Sequence, residues 1–254
     1  MAAAILGGIL RKKLCRAEEI MVSRRQQEEL NRLQDTYGIQ VTADNRQVAE
    51  WAEVLFLAVK PQVLGGVIEE IRPFHKEGQL IVSVAAGKTL SWLEGEFGHP
   101  VKLVRSMPNT PALVGEGCTA FCGNTLVTGE DEALVTEMFN CCGVAYQVPE
   151  SLMDAVGAVS GSSPAYVFMF LEAMADAAVL GGMPRALAYR MAGQAVLGSA
   201  KLMLETGEHP GVLKDRVCSP AGTTICGVKV LEEKGMKAAV FQALEACIER
   251  SKKI

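Results

Sequence analysis

The chain has 254 residues, enough for one large domain or two modest ones with a substantial hydrophobic core. Apolar residues make up 49% and charged residues 21%, an ordinary globular composition that argues against a disordered protein. The 25 Lys and Arg against 29 Asp and Glu give a net charge of −4, whereas a nucleic-acid binder normally carries a basic surplus. Nucleic-acid partners are therefore not expected.

Cysteines, histidines and apolar segments narrow the class of protein further. The eight cysteines form no C-x-x-C pair, so we expect reduced thiols, and the three histidines lie far apart, so no metal site is predicted. The first apolar run precedes the charges of residues 11–13, the reverse of a signal peptide. The longest apolar helix is interrupted by Glu172 and Asp176. We predict a cytoplasmic protein with no membrane partner.

Strand and helix signals alternate over the first half of the chain. Helices are predicted over residues 1–12, 26–37, 45–52 and 61–71. Strands are predicted over residues 20–22, 40–42, 54–59, 80–84, 101–105, 118–122 and 143–148. The run at 54–59 is apolar throughout, which is typical of a parallel strand covered on both faces. The alternation predicts a doubly wound α/β domain over residues 1–149.

Strand signals stop after residue 149, and the rest of the chain reads as helices. These are predicted over residues 165–180, 185–205, 222–234 and 236–253. The helix over 165–180 is apolar nearly all round, so we expect it to be buried either centrally or in a subunit interface. The sequence therefore predicts a second, all-helical domain over residues 150–254.

Three strand ends carry chemistry that suits a nucleotide, which binds such folds at the carboxyl ends of the strands. Ser23, Arg24 and Arg25 follow the first predicted strand, and a hydroxyl with two cations suits a ribose 2′-phosphate, although a solvated basic turn would look the same. Residues 58–61 and 84–87 end two further strands; Lys60 lies beside the expected cofactor path or in solvent. The Gly-rich phosphate loop is absent, since Gly7-Gly8 lies inside the first helix with no strand before it.

Three motifs turn this fold prediction into a family resemblance. They are Arg105-Ser106-Met107-Pro108-Asn109-Thr110-Pro111 after a strand, Ser160-Gly161-Ser162-Ser163-Pro164-Ala165-Tyr166, and Ser219-Pro220-Ala221-Gly222-Thr223-Thr224 before a late helix. Together they resemble pyrroline-5-carboxylate reductase, along nearly the whole chain. The resemblance implies a Rossmann domain, a helical domain that interlocks two subunits, and reduction of the cyclic imine of 1-pyrroline-5-carboxylate by NADPH or NADH, with the Ser23–Arg25 turn favouring NADPH. It also implies a homodimer or a larger ring of dimers.

The resemblance also assigns the site residues. Ser23 and its neighbours would take the adenine ribose phosphate, and Asn45 would face the adenosine half. The rest of the cofactor would be lined by Ala58, Val59, Lys60, Pro61, Val84, Ala85 and Ala86. Asn109 either shapes the nicotinamide side or serves as a hydrogen-bonding residue of its loop. The substrate would be held by Ser219, Gly222, Thr223 and Thr224.

The residue types of the Ser219–Thr224 motif by themselves predict a binding site for an anion. Ser219 is expected as the N-cap of a helix and Pro220 at its first position, so that the free N–H groups of Gly222, Thr223 and Thr224 can bind the substrate carboxylate. The Thr224 hydroxyl is then free to reach the ring nitrogen of the imine. Hydride transfer needs a substrate held close to the nicotinamide and a hydrogen bond at that nitrogen. Plain helix capping is an alternative that is compatible with binding.

The chain departs from the family pattern at three places. Ser163 and Ala221 stand where members usually have glycine, which would cost about 1 kcal/mol at a positive φ and is expected to be tolerated. Met1 aligns just after the Gly-x-Gly-x stretch, so the first strand and the phosphate loop are missing. We expect unpaired backbone on the flanking strands, an exposed apolar face on the first helix, and a true start about ten residues upstream. An N-terminal peptide starting at Met1, found by mass spectrometry of the native protein, would contradict that start.

Two other functions remain open from the sequence alone. A β-hydroxyacid-type dehydrogenase would need a catalytic lysine in the helical domain, and Lys201 and Lys214 are present but lie in no such motif. A truncated, inactive relative that acts as an oligomeric scaffold is supported only by the missing phosphate loop. Nucleotide affinity separates the scaffold from the two enzymes, and a substrate profile separates the enzymes from each other.

Overall fold

The computed structural model describes residues 1–253, which fall into two compact units. The first unit contains residues 1–162 together with the segment from Cys247 onward, and the helical unit contains residues 163–246. The predicted domain boundary at residue 150 stays a prediction.

Helices and strands alternate in the first unit much as the periodicity predicts. The helices are α1 (Ala2–Lys12), α2 (Gln27–Tyr37), α3 (Asn45–Trp51), α4 (Pro61–Ile71), α5 (Leu90–Phe97), α6 (Gly129–Asn140) and α7 (Met153–Val156), followed by a π-helix over Gly157–Ser162. The strands are β1 (Met21–Ser23), β2 (Gln40–Thr42), β3 (Val54–Leu57), β4 (Leu80–Ser83), β5 (Lys102–Met107), β6 (Gly117–Gly123) and β7 (Gly143–Gln147). α2 ends where Gly38 adopts the left-handed conformation with φ 69°, as expected of its sequence.

The strands form a five-stranded sheet of order β3-β4-β5-β6-β7 and a separate parallel pair, β1-β2. β3, β4 and β5 run parallel, as expected of a doubly wound sheet, but β6 pairs antiparallel with β5. Only a short turn at Thr110–Val114 separates β5 from β6, and antiparallel strands need no long crossover. Within the described residues β1 and β3 each pair on one side only, which agrees with the expectation for the flanking strands.

The first helix is not exposed as expected. Ile5 and Ile9 are buried, and α1 packs in a core with Val104, Phe121 and Phe139. Gly8 makes this packing close, because a Cβ at that position would lie 2.8 Å from the carbonyl oxygen of Cys141. The expectation of an exposed apolar face was therefore wrong: contacts with the sheet and with α6 bury α1. The other sheet face is covered by α3, α4 and α5.

The helical unit has little core of its own. It contains α8 (Ser163–Leu180), α9 (Arg185–Thr206), α10 (Pro210–Val217), α11 (Thr223–Glu233) and most of α12 (Met236–Ser251), and α8 packs against α9. Its buried residues are alanines, whereas Phe168, Leu204 and Phe241 are 64%, 72% and 69% exposed. Of the two expected settings for the apolar helix, central burial within the chain is therefore wrong. The helical stretch Glu150–Leu180 could span a membrane by length and composition only, and an unpaired subunit interface has the same composition.

His75 makes the stability of the first unit depend on pH. Its Nδ1 lies 3.2 Å from Nε2 of His99, and burial together with the charge of His99 lowers the pKa of His75 below its ordinary value. The unfolded chain therefore binds a proton first as the pH falls through about 6.5, and protonation favours unfolding. We expect the Tm to drop between about pH 7.5 and about pH 5.5, and His75→Gln to reduce that drop. Equal drops in both proteins, followed by calorimetry, would contradict this assignment.

Candidate functional site

The carboxyl ends of β3 and β4 bring two predicted cofactor segments to one edge of the sheet. The two strands are parallel and Leu57 lies opposite Ser83, so residues 58–61 and 84–86 leave the sheet side by side. Pro61 is the first residue of α4, and Lys60 before it is exposed. This edge, at the carboxyl ends of parallel strands, is where such a fold binds a nucleotide.

The basic turn after β1 gathers the residues predicted for the ribose phosphate. The Ser23 hydroxyl donates to Oδ1 of Asn45 at 2.7 Å, and Nδ2 of Asn45 donates to Glu70 at 2.9 Å. Arg24 pairs with Glu29 at 2.7 Å, whereas Arg25 is exposed and has no ion pair within residues 1–253. Arg25 is therefore the guanidinium of this turn that is available for a 2′-phosphate, whereas the Ser23 hydroxyl would have to release Asn45 before it could donate to one.

A small cavity of about 30 Å³ lies at the carboxyl ends of β4 and β5, wholly within the first unit. It is lined by Ala85, Ala86, Gly87, Arg105, Ser106, Met107, Met153, Gly157 and Ser251. Its volume suits one or two waters, so the cavity is too small to hold a nucleotide. Arg105, Ser106 and Met107 belong to the Arg105–Pro111 motif, and their residue types alone predict no site. Ser251, which donates to Asp154 at 2.7 Å, carried no sequence signal because its partner lies 97 residues away.

Asn109 serves its own loop in this structure. Its Nδ2 donates to the carbonyl of Ser160 at 3.0 Å, and its Oδ1 accepts from the N–H of Cys118 at 2.9 Å. The side chain is buried, with both amide functions used inside the first unit. The sequence left two roles open for Asn109, shaping the nicotinamide side or hydrogen bonding within its loop. These contacts favour the second role. A role for Asn109 in cofactor binding stays a prediction.

Arg105 and Glu150 form an ion pair beside the cavity. Nη1 of Arg105 lies 3.0 Å from Oε1 of Glu150, and the arginine side chain is only 9% exposed. Cys122 lies opposite Arg105 on β6, and burial, with a further contribution from Glu150, raises its pKa to about 11. The Cys122 thiol is therefore protonated and is no candidate nucleophile.

The Ser219–Thr224 segment of the helical unit differs from its predicted capping. The N-cap of α11 is Gly222 and the helix begins at Thr223, so Ser219 as N-cap and Pro220 as first helical residue were wrong. The N–H of Gly222 donates to the carbonyl of Ser219 at 3.0 Å, which closes a turn before the helix. The prediction that the Gly222 N–H is a free donor was therefore wrong, and within the described residues the unpaired N–H groups of this helix start are those of Thr223, Thr224 and Ile225.

This turn still presents the predicted polar groups together. A Cβ at residue 222 would lie 2.3 Å from the Ser219 hydroxyl, so that hydroxyl packs directly on Gly222. Thr224 is half-buried, and its hydroxyl makes no hydrogen bond within the described part of the chain. The N-terminus of α11 thus offers N–H donors and hydroxyls to an anion.

Comparison with known proteins identifies the family. Residues 150–254 match the family model described as pyrroline-5-carboxylate reductase dimerisation, and residues 1–87 match one described as NADP oxidoreductase, coenzyme F420-dependent. Over 254 residues the chain is 52% identical to pyrroline-5-carboxylate reductase of Escherichia coli (strain K12), and it covers 94% of that protein. The chain belongs to the pyrroline-5-carboxylate reductase family. This membership decides against the β-hydroxyacid-type dehydrogenase.

Solved structures of pyrroline-5-carboxylate reductases share the fold. The enzyme from Coxiella burnetii matches with a TM-score of 0.93 and 34% identity, covering 99% of this chain and 94% of that one. The enzyme from Plasmodium falciparum, described with NADP bound, matches with a TM-score of 0.89 and 32% identity, covering 99% and 93%. The predicted fold class, a Rossmann-like domain followed by a helical dimerisation domain, is confirmed.

The two glycine replacements relative to the pyrroline-5-carboxylate reductase pattern differ in strain. Ala221 has φ 57°, in the left-handed region, whereas Ser163 is not among the residues of positive φ. We expect Ala221→Gly to raise the free energy of unfolding by about 1 kcal/mol, because glycine adopts this conformation without a Cβ penalty. Ala133→Gly, in the exposed face of α6, should instead lower it by about 1 kcal/mol. Denaturant unfolding of both variants checks the sign, and a destabilised Ala221→Gly would contradict the strain.

Proposed function

We propose that this chain reduces the cyclic imine of 1-pyrroline-5-carboxylate to L-proline with NADPH. The observation that carries the proposal is the 52% identity, along the whole chain, with the pyrroline-5-carboxylate reductase of Escherichia coli. NADPH is supported by the NADP oxidoreductase match over residues 1–87 and by the relative described with NADP bound. The exposed Arg25 beside Ser23 supports the same choice, since a 2′-phosphate distinguishes NADPH from NADH.

The cofactor residues of the proposal lie in the first unit. Ser23, Arg24 and Arg25 would hold the adenine ribose phosphate, with Asn45 facing the adenosine. Segments 58–61 and 84–86 would line the remainder, because small side chains let a ligand approach the backbone there. When bound, NADPH supplies the hydride, which is the difficult step of the reaction.

The substrate residues of the proposal lie at the start of α11. The N–H groups of Thr223 and Thr224 point out of the helix N-terminus and would bind the substrate carboxylate, aided by the helix dipole. Ser219 and Gly222 would shape the turn that presents them. The Thr224 hydroxyl oxygen would accept a hydrogen bond from the ring N–H of the protonated imine, which then needs only the hydride to become the product amine. No stronger acid is required, because a protonated iminium is already electrophilic.

The proposed enzyme is a homodimer in the cytoplasm. The dimerisation match over residues 150–254 and the exposed apolar side chains of the helical unit support a subunit interface on that unit. A larger ring of dimers is the alternative assembly, and the molecular mass in solution distinguishes the two. The net charge of −4 supports the absence of nucleic-acid partners, and Glu172 and Asp176 within the apolar helix support the absence of a membrane partner.

Substrate profiling of the purified protein tests the proposal. We expect oxidation of NADPH that depends on 1-pyrroline-5-carboxylate, with a higher kcat/KM than for NADH. Oxidation of a 3-hydroxy acid by NADP⁺ without reduction of 1-pyrroline-5-carboxylate would contradict the proposal. A folded dimer that binds neither nucleotide would indicate the oligomeric scaffold.

A further inference from the structure

One carboxylate oxygen joins three parts of the first unit that are distant in the sequence. Oε1 of Glu150 accepts a hydrogen bond from the backbone N–H of Leu90 at 2.7 Å and another from Nη1 of Arg105 at 3.0 Å. Leu90 is the first residue of α5 and Arg105 lies on β5. We propose that Glu150 and Arg105 are positioning residues that set the loop between β4 and α5 for NADPH binding.

The loop in question consists of residues 84–89, which carry the proposed cofactor residues Val84, Ala85 and Ala86. One end is held by β4, where the N–H of Ala85 donates to the Ser83 hydroxyl at 3.3 Å. The other end enters α5 through Leu90, which Glu150 holds. The loop is therefore anchored at both ends, and the second anchor lies 60 residues further along the chain.

The charge of Glu150 stabilises both of its partners. A carboxylate at the first turn of α5 interacts favourably with the positive end of the helix dipole. The Arg105 guanidinium is nearly buried, and Glu150 is its ion-pair partner within the described residues. Without that partner the guanidinium would be left uncompensated and would be driven toward solvent or toward other acceptors.

Movement of Arg105 would reach the loop directly, because both line the same small cavity. Ala85, Ala86 and Gly87 form one side of that cavity and Arg105 another. A rotation of the guanidinium would therefore change the space behind the loop. Removal of the Glu150 carboxylate therefore has two effects. It releases the α5 end of the loop, and it leaves Arg105 without its ion-pair partner.

The chain contains a matched control for this arrangement. Asp131 pairs with Lys102 at 2.8 Å and accepts from the N–H of Thr128 at 2.8 Å, so it too joins a cation on β5 to a helix start. Lys102 is the first residue of β5, at the opposite end of the strand from Met107, which lines the cavity. Loss of Asp131 should therefore lower stability without moving the loop.

The experiment measures NADPH affinity and steady-state kinetics in the whole protein, and it rests on the proposed function. We expect Glu150→Ala to raise the Kd and KM for NADPH by about tenfold or more while kcat changes less, since small displacements of positioning groups carry large penalties. Glu150→Gln retains the oxygen acceptor and should recover part of the affinity. Asp131→Ala should lower the Tm and leave the Kd for NADPH unchanged.

Two results would overturn the inference. One is an unchanged Kd for NADPH in folded Glu150→Ala; the other is the same Kd increase in Asp131→Ala, which would reduce both carboxylates to a structural role. Should Glu150→Ala not fold, Glu150→Gln and Arg105→Lys carry the same comparison, with weaker affinity expected in both. A wild-type protein that does not bind NADPH would instead contradict the proposed function, so the two failures are distinguishable.

Discussion

Gly143→Ala is expected to lower the free energy of unfolding by roughly 3–5 kcal/mol, from overpacking and backbone strain acting together. Gly143 has φ 151° at the start of β7. An added Cβ would lie 1.9 Å from the carbonyl oxygen and 2.4 Å from the nitrogen of Gly117. Both neighbours are backbone atoms of the paired strand β6, so no side chain can turn aside to make room.

Denaturant unfolding with Gly66→Ala as a control checks this expectation. Gly66 lies in α4, and nothing lies within 4 Å of a Cβ built there. That substitution should add about 0.5–1 kcal/mol, because alanine is the better helix former. Similar stabilities for Gly143→Ala and the wild type would show that β6 and β7 can separate without loss, and would contradict the close contact between Gly143 and Gly117.

Local patterns were sufficient to predict most elements of the first unit. The helix from Pro61 to Ile71 has the predicted limits, since proline favours the first helical position and the apolar spacing defines its buried face. Strand direction was less accessible: whether β6 runs with or against β5 depends on the turn between them. The burial of α1 was also missed, because its partners Val104, Phe121 and Phe139 are all more than 90 residues away in sequence.

The candidate site also has features that the sequence could predict and features that it could not. Chemistry at strand ends could be predicted, because neighbouring parallel strands bring their ends to one edge whatever the side chains are. The Glu150 anchor could not, because its partner Leu90 contributes a backbone N–H, which leaves no trace in the sequence. The predicted N-cap of α11 was three residues too early. Ala221 adopts the left-handed conformation and allows an extra turn before the helix, and an alanine in the sequence does not predict that conformation.

Thr224→Val is expected to lower kcat by about 100-fold, the loss typical of removing a group that supplies a hydrogen bond or proton in the transition state. Valine matches threonine in shape, so the first turn of α11 should remain. Thr224→Ser keeps the hydroxyl and should recover most of the activity. The matched control is Thr136→Val in α6, whose hydroxyl donates to the carbonyl of Glu132 at 2.7 Å, far in sequence from the proposed site.

The KM for substrate separates the two roles of this helix start. The N–H groups of Thr223 and Thr224 belong to the backbone and survive the valine substitution, so carboxylate binding and the KM should change little. A fall in kcat at nearly constant KM would assign the hydroxyl to the imine nitrogen. A rise in KM at constant kcat would assign it to ground-state binding of the carboxylate and contradict its role at the imine nitrogen. The Thr224 hydroxyl and the unpaired N–H groups lie on the same turn of α11, so the structure alone does not separate their contributions. Comparing the changes in kcat and KM does separate them, because the valine substitution removes the hydroxyl and leaves the N–H groups in place.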